Sequence, residues 1–173
     1  EPGAAPLEPP RRMALRAATF AEMCGYFRAC EKLHAAMQYA KKAVSLEQHV
    51  ARSALPTPMA MNYASLLIAA GRHDEALGRL GAAVAALERE EHRAPSALVV
   101  ALYNAWVAQC HLGRARAGVE ALRQAAGVAQ RRLGDEHPLS LKVEQALAST
   151  GSRDIPMLAL HSPATSARQS RSS

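Results

Sequence analysis

Residues 69–77 read AAGRHDEAL, and residues 110–118 read CHLGRARAG. In each, a glycine followed by polar residues separates two stretches of small or apolar ones. Gly71 and Gly113 lie 42 positions apart, as do Asn62 and Asn104, and Ala83 and Ala125. Ala36 and Ala43 match Ala76 and Ala83 at an offset of 40. Self-similarity at a fixed period of this length marks stacked structural units rather than one globular core. Each glycine reads as the end of a helix, held in the left-handed conformation that other residues resist. The polar residues after it start a return helix, and small residues at fixed offsets let the two helices approach closely. One such hairpin cannot bury its apolar face alone, so neighbouring hairpins must stack.

The rest of the chain supports this reading. Of 173 residues, 49% are hydrophobic but only 4% aromatic, and alanine is abundant. Alanine is the best helix former, and Leu, Arg, Glu and Gln follow closely. Alternating runs of β-branched and aromatic residues are absent. Phe20, Met23, Cys24 and Phe27 fall at i, i+3, i+4 and i+7, one stripe of a first helix. "KLHAAMQYAKKAVSLEQHV" follows almost at once as its partner. "ARSALPTP" breaks the chain, and Pro56 and Pro58 open the next helix. "MAMNYASLLIAAG" and "HDEALGRLGAAVAALERE" form the second pair. A connector over His92–Ser96, with Pro95 inside it, leads to "SALVVALYNAWVAQCHLG" and "RAGVEALRQAAGVAQRRLG". "DEHPLSLKVEQALAS" begins a seventh helix with Pro138 in its first turn. Four prolines exclude helix from residues 1–12. Residues 151–173 are Ser- and Arg-rich and read as a tail. The domain plan is therefore an extended arm over 1–12, a helical repeat domain over 13–150 and an extended tail over 151–173.

The pattern resembles tetratricopeptide (TPR) repeats. "NYASLLIAAGRHDEALGRLGAAVAALE" carries that family's small–large first helix, glycine turn, Asp-Glu-Ala opening of the second helix and later alanine. A period of 40–42, with the link "RRLGDEHP", is similar to the kinesin-light-chain subtype, whose repeats run on through Leu-Gly-x-x-His-Pro. The resemblance covers residues 14–149. It departs from the pattern in repeat 1, which lacks the turn glycine and has Glu22 where the others have Asn. It also departs in repeat 3, where Gly118 stands for the usual alanine. It implies an all-α, right-handed α-solenoid of about three helix hairpins plus a C-terminal capping helix, with extended tails. It further implies a groove lined by the first helix of each repeat, with Asn62 and Asn104 reaching the backbone of a bound peptide. Met61, Ser65, Tyr103, Val107 and His111 flank them there. An Asn amide both donates and accepts, so a column of them suits an extended chain of any sequence. The same two residues could instead bond neighbouring helices.

The net charge of +6 and a pI of about 9.7 have one local focus. Arg114, Arg116, Arg123, Arg131 and Arg132 stand against Glu120 alone in residues 114–132. They read as a solvated helix face or a docking face for an acidic partner, RNA included. Few aromatics accompany them, so base stacking is poorly provided for. Trp106 reads as core between repeats. Cys24, Cys30 and Cys110 form no CxxC pair and read as free, buried thiols of a reducing compartment. No apolar run approaches the ~20 residues of a membrane span.

HExxH, P-loop and GxSxG patterns are absent, as is GxGxxG after a strand. "GRLG" at 78–81 lies within a helix, where close helix packing explains it better than phosphate binding. The chain therefore reads as a non-enzyme with no catalytic residues, cofactor or metal. The leading function is a protein–protein interaction scaffold, an accessory structural subunit of a large multiprotein assembly. A transient peptide-binding adaptor is the alternative, and an RNA-associated subunit of a ribosome-like particle is third. A start at Glu1, the basic pI and the Arg and Ala bias point to a processed mitochondrial protein, with ciliary, cytoskeletal or cytoplasmic settings as alternatives. Both tails are expected to lie on neighbouring subunits, or, for "DIPMLALHSP" at 154–163, over the end of the last helix pair. Ser162, which precedes Pro163, is a candidate phosphorylation site.

Overall fold

A computed structural model describes residues 9–50, 58–89 and 93–150. They form seven helices: α1 (Pro9–Ala29), α2 (Leu33–Val50), α3 (Pro58–Ala69), α4 (His73–Arg89), α5 (Pro95–His111), α6 (Ala115–Arg132) and α7 (Pro138–Ser149). Consecutive helices pack on one another, while α5 also touches α3 and α7. The result is an α-solenoid of three hairpins, α1–α2, α3–α4 and α5–α6, closed by α7. The expected positions of the two tails in an assembly, the cover over 154–163 and Ser162 lie outside the described residues.

The three hairpins turn in the same way. Glu31, Gly71 and Gly113 have φ of 57°, 74° and 71°. In each turn the left-handed residue's N–H donates to the carbonyl three residues back, at 3.0 Å: Arg28, Ile68 and Cys110. The next N–H, from Lys32, Arg72 and Arg114, donates five residues back to Phe27, Leu67 and Gln109 at 2.9 Å. These two bonds satisfy orphan carbonyls at the end of the first helix. Repeat 1, which lacks a turn glycine, forces Glu31 into the same conformation. The second helices then start in register at 33, 73 and 115. Their inward positions repeat: Ala36, Ala76 and Gly118; Ala40, Leu80 and Leu122; Ala43, Ala83 and Ala125 are all buried.

Gly118 has its own cause. A Cβ there would lie 3.1 Å from Trp106 Cδ1 and 3.4 Å from Cys110 Sγ. Trp106, in the first helix of that hairpin, fills the space that an alanine would need. Its ring also meets Tyr103 edge-on at 5.1 Å. Trp106 is thus core, as expected, but against its own hairpin partner. Repeat 1 is built differently: Phe27 stacks on Tyr39 at 5.2 Å, Phe20 lies 6.0 Å from Tyr39, and Lys42 sits over both Phe20 and Tyr39.

Three sequence readings need correction. Residues 9–12, expected in the extended arm, belong to α1, because prolines are tolerated in a first helical turn, where the N–H has no intrahelical partner. Pro95 and Ser96, expected in a connector, open α5 for the same reason. Gly78 and Gly81 do lie inside α4, but nothing stands within 4 Å of a Cβ at either, so close packing is not their reason. The link 133–138 explains itself: Gly134 has φ 85°, and His137 Nδ1 accepts from the Leu139 N–H at 3.1 Å. Pro138 then opens α7.

Alpha7 is the last helix of the described residues. At an offset of 42, Glu144, Gln145, Ala148 and Ser149 replace Leu102, Tyr103, Trp106 and Val107. The α5 residues are buried and their α7 counterparts are exposed. A terminal repeat with a polar outer face is what a solenoid needs to stay soluble.

Replacing Glu31 by glycine is expected to stabilise the fold by about 1 kcal/mol by relieving the left-handed conformation. Gly71→Ala or Gly113→Ala is expected to cost about as much. Gly78→Ala and Gly81→Ala should each add about 0.8–1 kcal/mol, since they sit in an open helix interior. Urea denaturation midpoints check all of these.

Candidate protein-binding site

The helices that could line a groove are α1, α3, α5 and α7. The structure buries most of the residues expected there. Met61, Asn62, Ser65, Tyr103, Asn104 and Val107 are all buried, and only His111 is exposed. Asn104 is 0% exposed, and its Nδ2 donates to Ser65 Oγ at 3.1 Å. Ser65 Oγ in turn donates to the Met61 carbonyl at 3.2 Å. A polar chain therefore runs from α5 into α3, inside the contact between repeats 2 and 3. Of the two readings of this asparagine, the geometry is that of a helix-to-helix bond. A buried amide that is bonded ties the repeats together, whereas an unbonded one would cost about 1–3 kcal/mol.

Asn62, buried like Asn104, faces α1, where no asparagine stands at the matching position. Its counterpart 40 residues earlier is Glu22, and both border a pocket of about 160 Å³ between α1 and α3. Ala21, Cys24, Gly25 and Arg28 form the α1 wall, while Met59 and Leu66 form the α3 wall. Gly25 leaves the pocket open, with nothing within 4 Å of where its Cβ would be. The lining offers apolar surface, one carboxylate, one guanidinium and one amide. Burial pushes the Cys24 thiol up, with a smaller opposing pull from Arg28, so it is a protonated lining atom at neutral pH. Burial pushes Cys110 and Tyr103 up as well. Cys30, expected to be buried, is exposed at the first turn, and all three cysteines are free.

His111 is placed at the edge of the turns. Its ring stacks on His73 at 4.6 Å with an interplanar angle of 1°. Beside it, Arg114 reaches Asp74 at 3.1 Å. This pair of contacts joins the turn of repeat 2 to that of repeat 3, and sequence reasoning did not find it. His73 and Asp74 were legible only as turn residues, because their partners lie 38 and 40 positions away. Burial first, then His111, holds His73 below its ordinary value of 6.5, against a smaller upward pull from Asp74.

The five arginines do not form one face. Arg114 is in the α5–α6 turn with Asp74. Arg116, Arg123 and Arg131 share the solvent side of α6 with Glu120 between them, by helical periodicity. Arg132 falls about 160° from Arg116 around the helix, although its side chain, like those of the other four, is exposed. Among the described residues, no three His, Cys, Asp or Glu side chains come together to hold a metal. No helix there is long and apolar enough to cross a membrane.

This architecture defines the class of protein: a TPR-like helical-repeat solenoid. It is similar to a kinesin light chain-type protein of Podosopora anserina with nearly identical TPR-like repeats. One structure of that protein superposes with a TM-score of 0.65 at 23% identity, covering 78% of this chain and 64% of that one. A second gives a TM-score of 0.63 with the same identity and coverage. The chain thus spans less than two thirds of the length of these neighbours. No protein-family profile matches the chain, and no curated protein matches it.

His73 makes stability depend on pH. The folded state favours neutral His73, so its contribution is complete above the ordinary value and is lost as pH falls through and below it. Melting temperature is expected to drop between about pH 7.5 and 5.5, and His73→Asn to flatten that slope. Separately, Asn104→Ala is expected to destabilise the chain by about 2 kcal/mol, read by the same denaturation curves.

Proposed function

We propose that this chain is a non-catalytic scaffold, an accessory structural subunit of a large multiprotein assembly. The TPR-like fold suggests protein–protein interaction, and the observation that carries the finer reading is the burial of Asn104 on Ser65. A transient adaptor needs exposed amides along its groove to hold an extended peptide. Here the amide of repeat 3 is used between helices, and what remains accessible is broad helical surface. Such surface suits a permanent neighbour, where shape and apolar area matter more than backbone capture. The scatter of the arginines weakens the RNA reading, which would need a continuous basic track.

The adaptor reading keeps one specific support, the pocket between α1 and α3. Its apolar walls with Glu22, Arg28 and Asn62 at the rim suit one anchoring side chain of a short peptide.

Gly25→Leu separates the two. The new side chain enters open space within a helix, so the fold should be kept and, as at Gly78 and Gly81, slightly stabilised. In gradient sedimentation of tagged chain from cell extract at high salt, the wild type is expected in a high-mass fraction. Cross-linking should return the same neighbours in each preparation. The scaffold reading expects Gly25→Leu to remain there. If the wild type sediments as a free chain, or if filling the pocket alone releases it, the adaptor reading replaces the scaffold.

A further inference from the structure

Residues 61–68 of α3 and 98–104 of α5 are buried without interruption. At about 100° per residue, either run points in every direction round its helix. The described helices do not surround them. Helix α3 packs on α2, α4 and α5, with the pocket between it and α1. Helix α5 packs on α3, α4, α6 and α7. A packed neighbour of equal width closes about 60° of a helix's circumference, so such a set leaves about a third of it open.

The open sector lies on the side of each first helix turned from its second helix. In α5, Val100, Asn104, Val107 and His111 follow at i, i+4, i+7 and i+11. They lie about 100–160° round the helix from Trp106, which faces α6 at Gly118. Their counterparts are Pro58, Asn62, Ser65 and Ala69 in α3, and Ala18, Glu22, Gly25 and Ala29 in α1. The α1 set is exposed throughout, and so are Lys142 and Ser149 at the matching places of α7. In α3 and α5, by contrast, Asn62, Ser65, Val100, Asn104 and Val107 are buried, and Pro58, Ala69 and His111 at the stripe ends are exposed. Asn62, Ser65 and Asn104 also each have an interaction beyond the Asn104–Ser65–Met61 line. The cover is thus confined to the middle of the first-helix layer, and polar groups meet it there beside two valines.

We infer that the chain's own C-terminal segment, residues 154–163, is that cover, laid in extended form across α5 and α3. The segment DIPMLALHSP holds Ile155, Met157, Leu158 and Leu160, and Pro156 and Pro163 keep it from continuing as helix. Its apolar side chains suit Val100 and Val107. Its backbone suits Asn62 and Asn104, whose amides both donate and accept. Reach agrees. Helix α7 ends at Ser149, the counterpart of Val107 in the neighbouring α5. Packed helices lie about 8–10 Å apart, and residues 151–153, when extended, span about 10 Å. Residues 154–163 then span about 33 Å, enough to cross both helices. The other segments fit less well. Residues 1–8 hold one large apolar residue, Leu7, and would have to cross the exposed stripe of α1 first. Residues 51–57 and 90–92 are tied to helices at both ends. The stripe is thereby closed in cis, and a partner's peptide reaches it only by displacing the tail. This stands apart from the scaffold reading, since it holds inside an assembly or outside one.

The full 173-residue chain with Leu158→p-benzoylphenylalanine tests the placement. Irradiated in dilute solution, it is expected to cross-link within one chain, to residues on or beside the stripe of α3 or α5, as located by peptide mass spectrometry. Cross-links confined to α6 and α7, cross-links only between chains, or none at all overturn the inference. A competition measurement is the second arm. A labelled synthetic peptide of residues 152–165 is titrated into the wild-type chain and into the chain with Leu158→Asp and Leu160→Asp, with fluorescence anisotropy as the readout. The wild-type tail competes at an effective concentration of about a millimolar, so the substituted chain is expected to bind the peptide at least about tenfold more tightly. Equal binding to both chains, or binding to neither, overturns the inference. Adding Asn62→Ala to the substituted chain should weaken the peptide severalfold, and binding untouched by that change places the peptide off the stripe and overturns it too. If the substituted chain does not fold, as judged by circular dichroism, the photo-cross-link decides alone.

Discussion

The left-handed residue at each hairpin turn is the constraint on which the rest depends. Two hydrogen bonds, of 3.0 and 2.9 Å, fix where each second helix begins relative to the first. Because the geometry is the same at Glu31, Gly71 and Gly113, the three second helices present their small inward residues at matching heights. Ala36, Ala76 and Gly118 can then sit against the first helices without steric conflict. A slip of one residue would rotate a helix by about 100° and bring exposed arginines and glutamates inward. The stacking order and the buried polar chain both follow from that phase.

What the stack encloses and what it leaves open determines what the protein can do. Between repeats 2 and 3 the contact is complete, and it absorbs Asn104, Ser65 and Met61 into one hydrogen-bonded line. Between repeats 1 and 2 it is incomplete, and the pocket beside Gly25 is the consequence. Repeat 1 holds its own helices together with the Phe20, Phe27 and Tyr39 rings rather than with the alanine pattern alone. Its first helix therefore meets α3 on different terms from those on which α3 meets α5. The departure from the repeat pattern and the opening in the surface are at the same place.

Much of the fold is legible in the chain itself. The glycine spacing, the alanine offsets and the absence of strand patterns suffice for an all-α stack of hairpins with α7 at its end. The errors have identifiable causes. The prolines at 9–12 and Pro95 look like helix breakers in the sequence, yet they open helices. Gly78 and Gly81 look like packing glycines, because a glycine facing another helix and one facing solvent are indistinguishable in sequence. The candidate site was less legible. Asn62 and Asn104 hold equivalent places in the repeat, yet one borders a pocket and the other is closed off. What differs is the preceding helix: α3 meets Asn104 with Ser65, whereas α1 leaves a pocket beside Asn62.

By itself the sequence determined the period, the turns and the identity of the small inward residues. These are local matters, decided by which side chains tolerate positive φ and which permit close helix approach. Only the tertiary structure decided that Trp106 lies where Gly118 leaves room, that His73 stacks on His111 and that Asp74 meets Arg114. It also decided that Leu15 and Tyr26 of α1 and Leu141 of α7 are exposed. Those outcomes depend on distances between residues about 40 positions apart, and on which faces run out of neighbours. A repeat pattern makes every unit look the same. The units differ because each meets different neighbours in the stack.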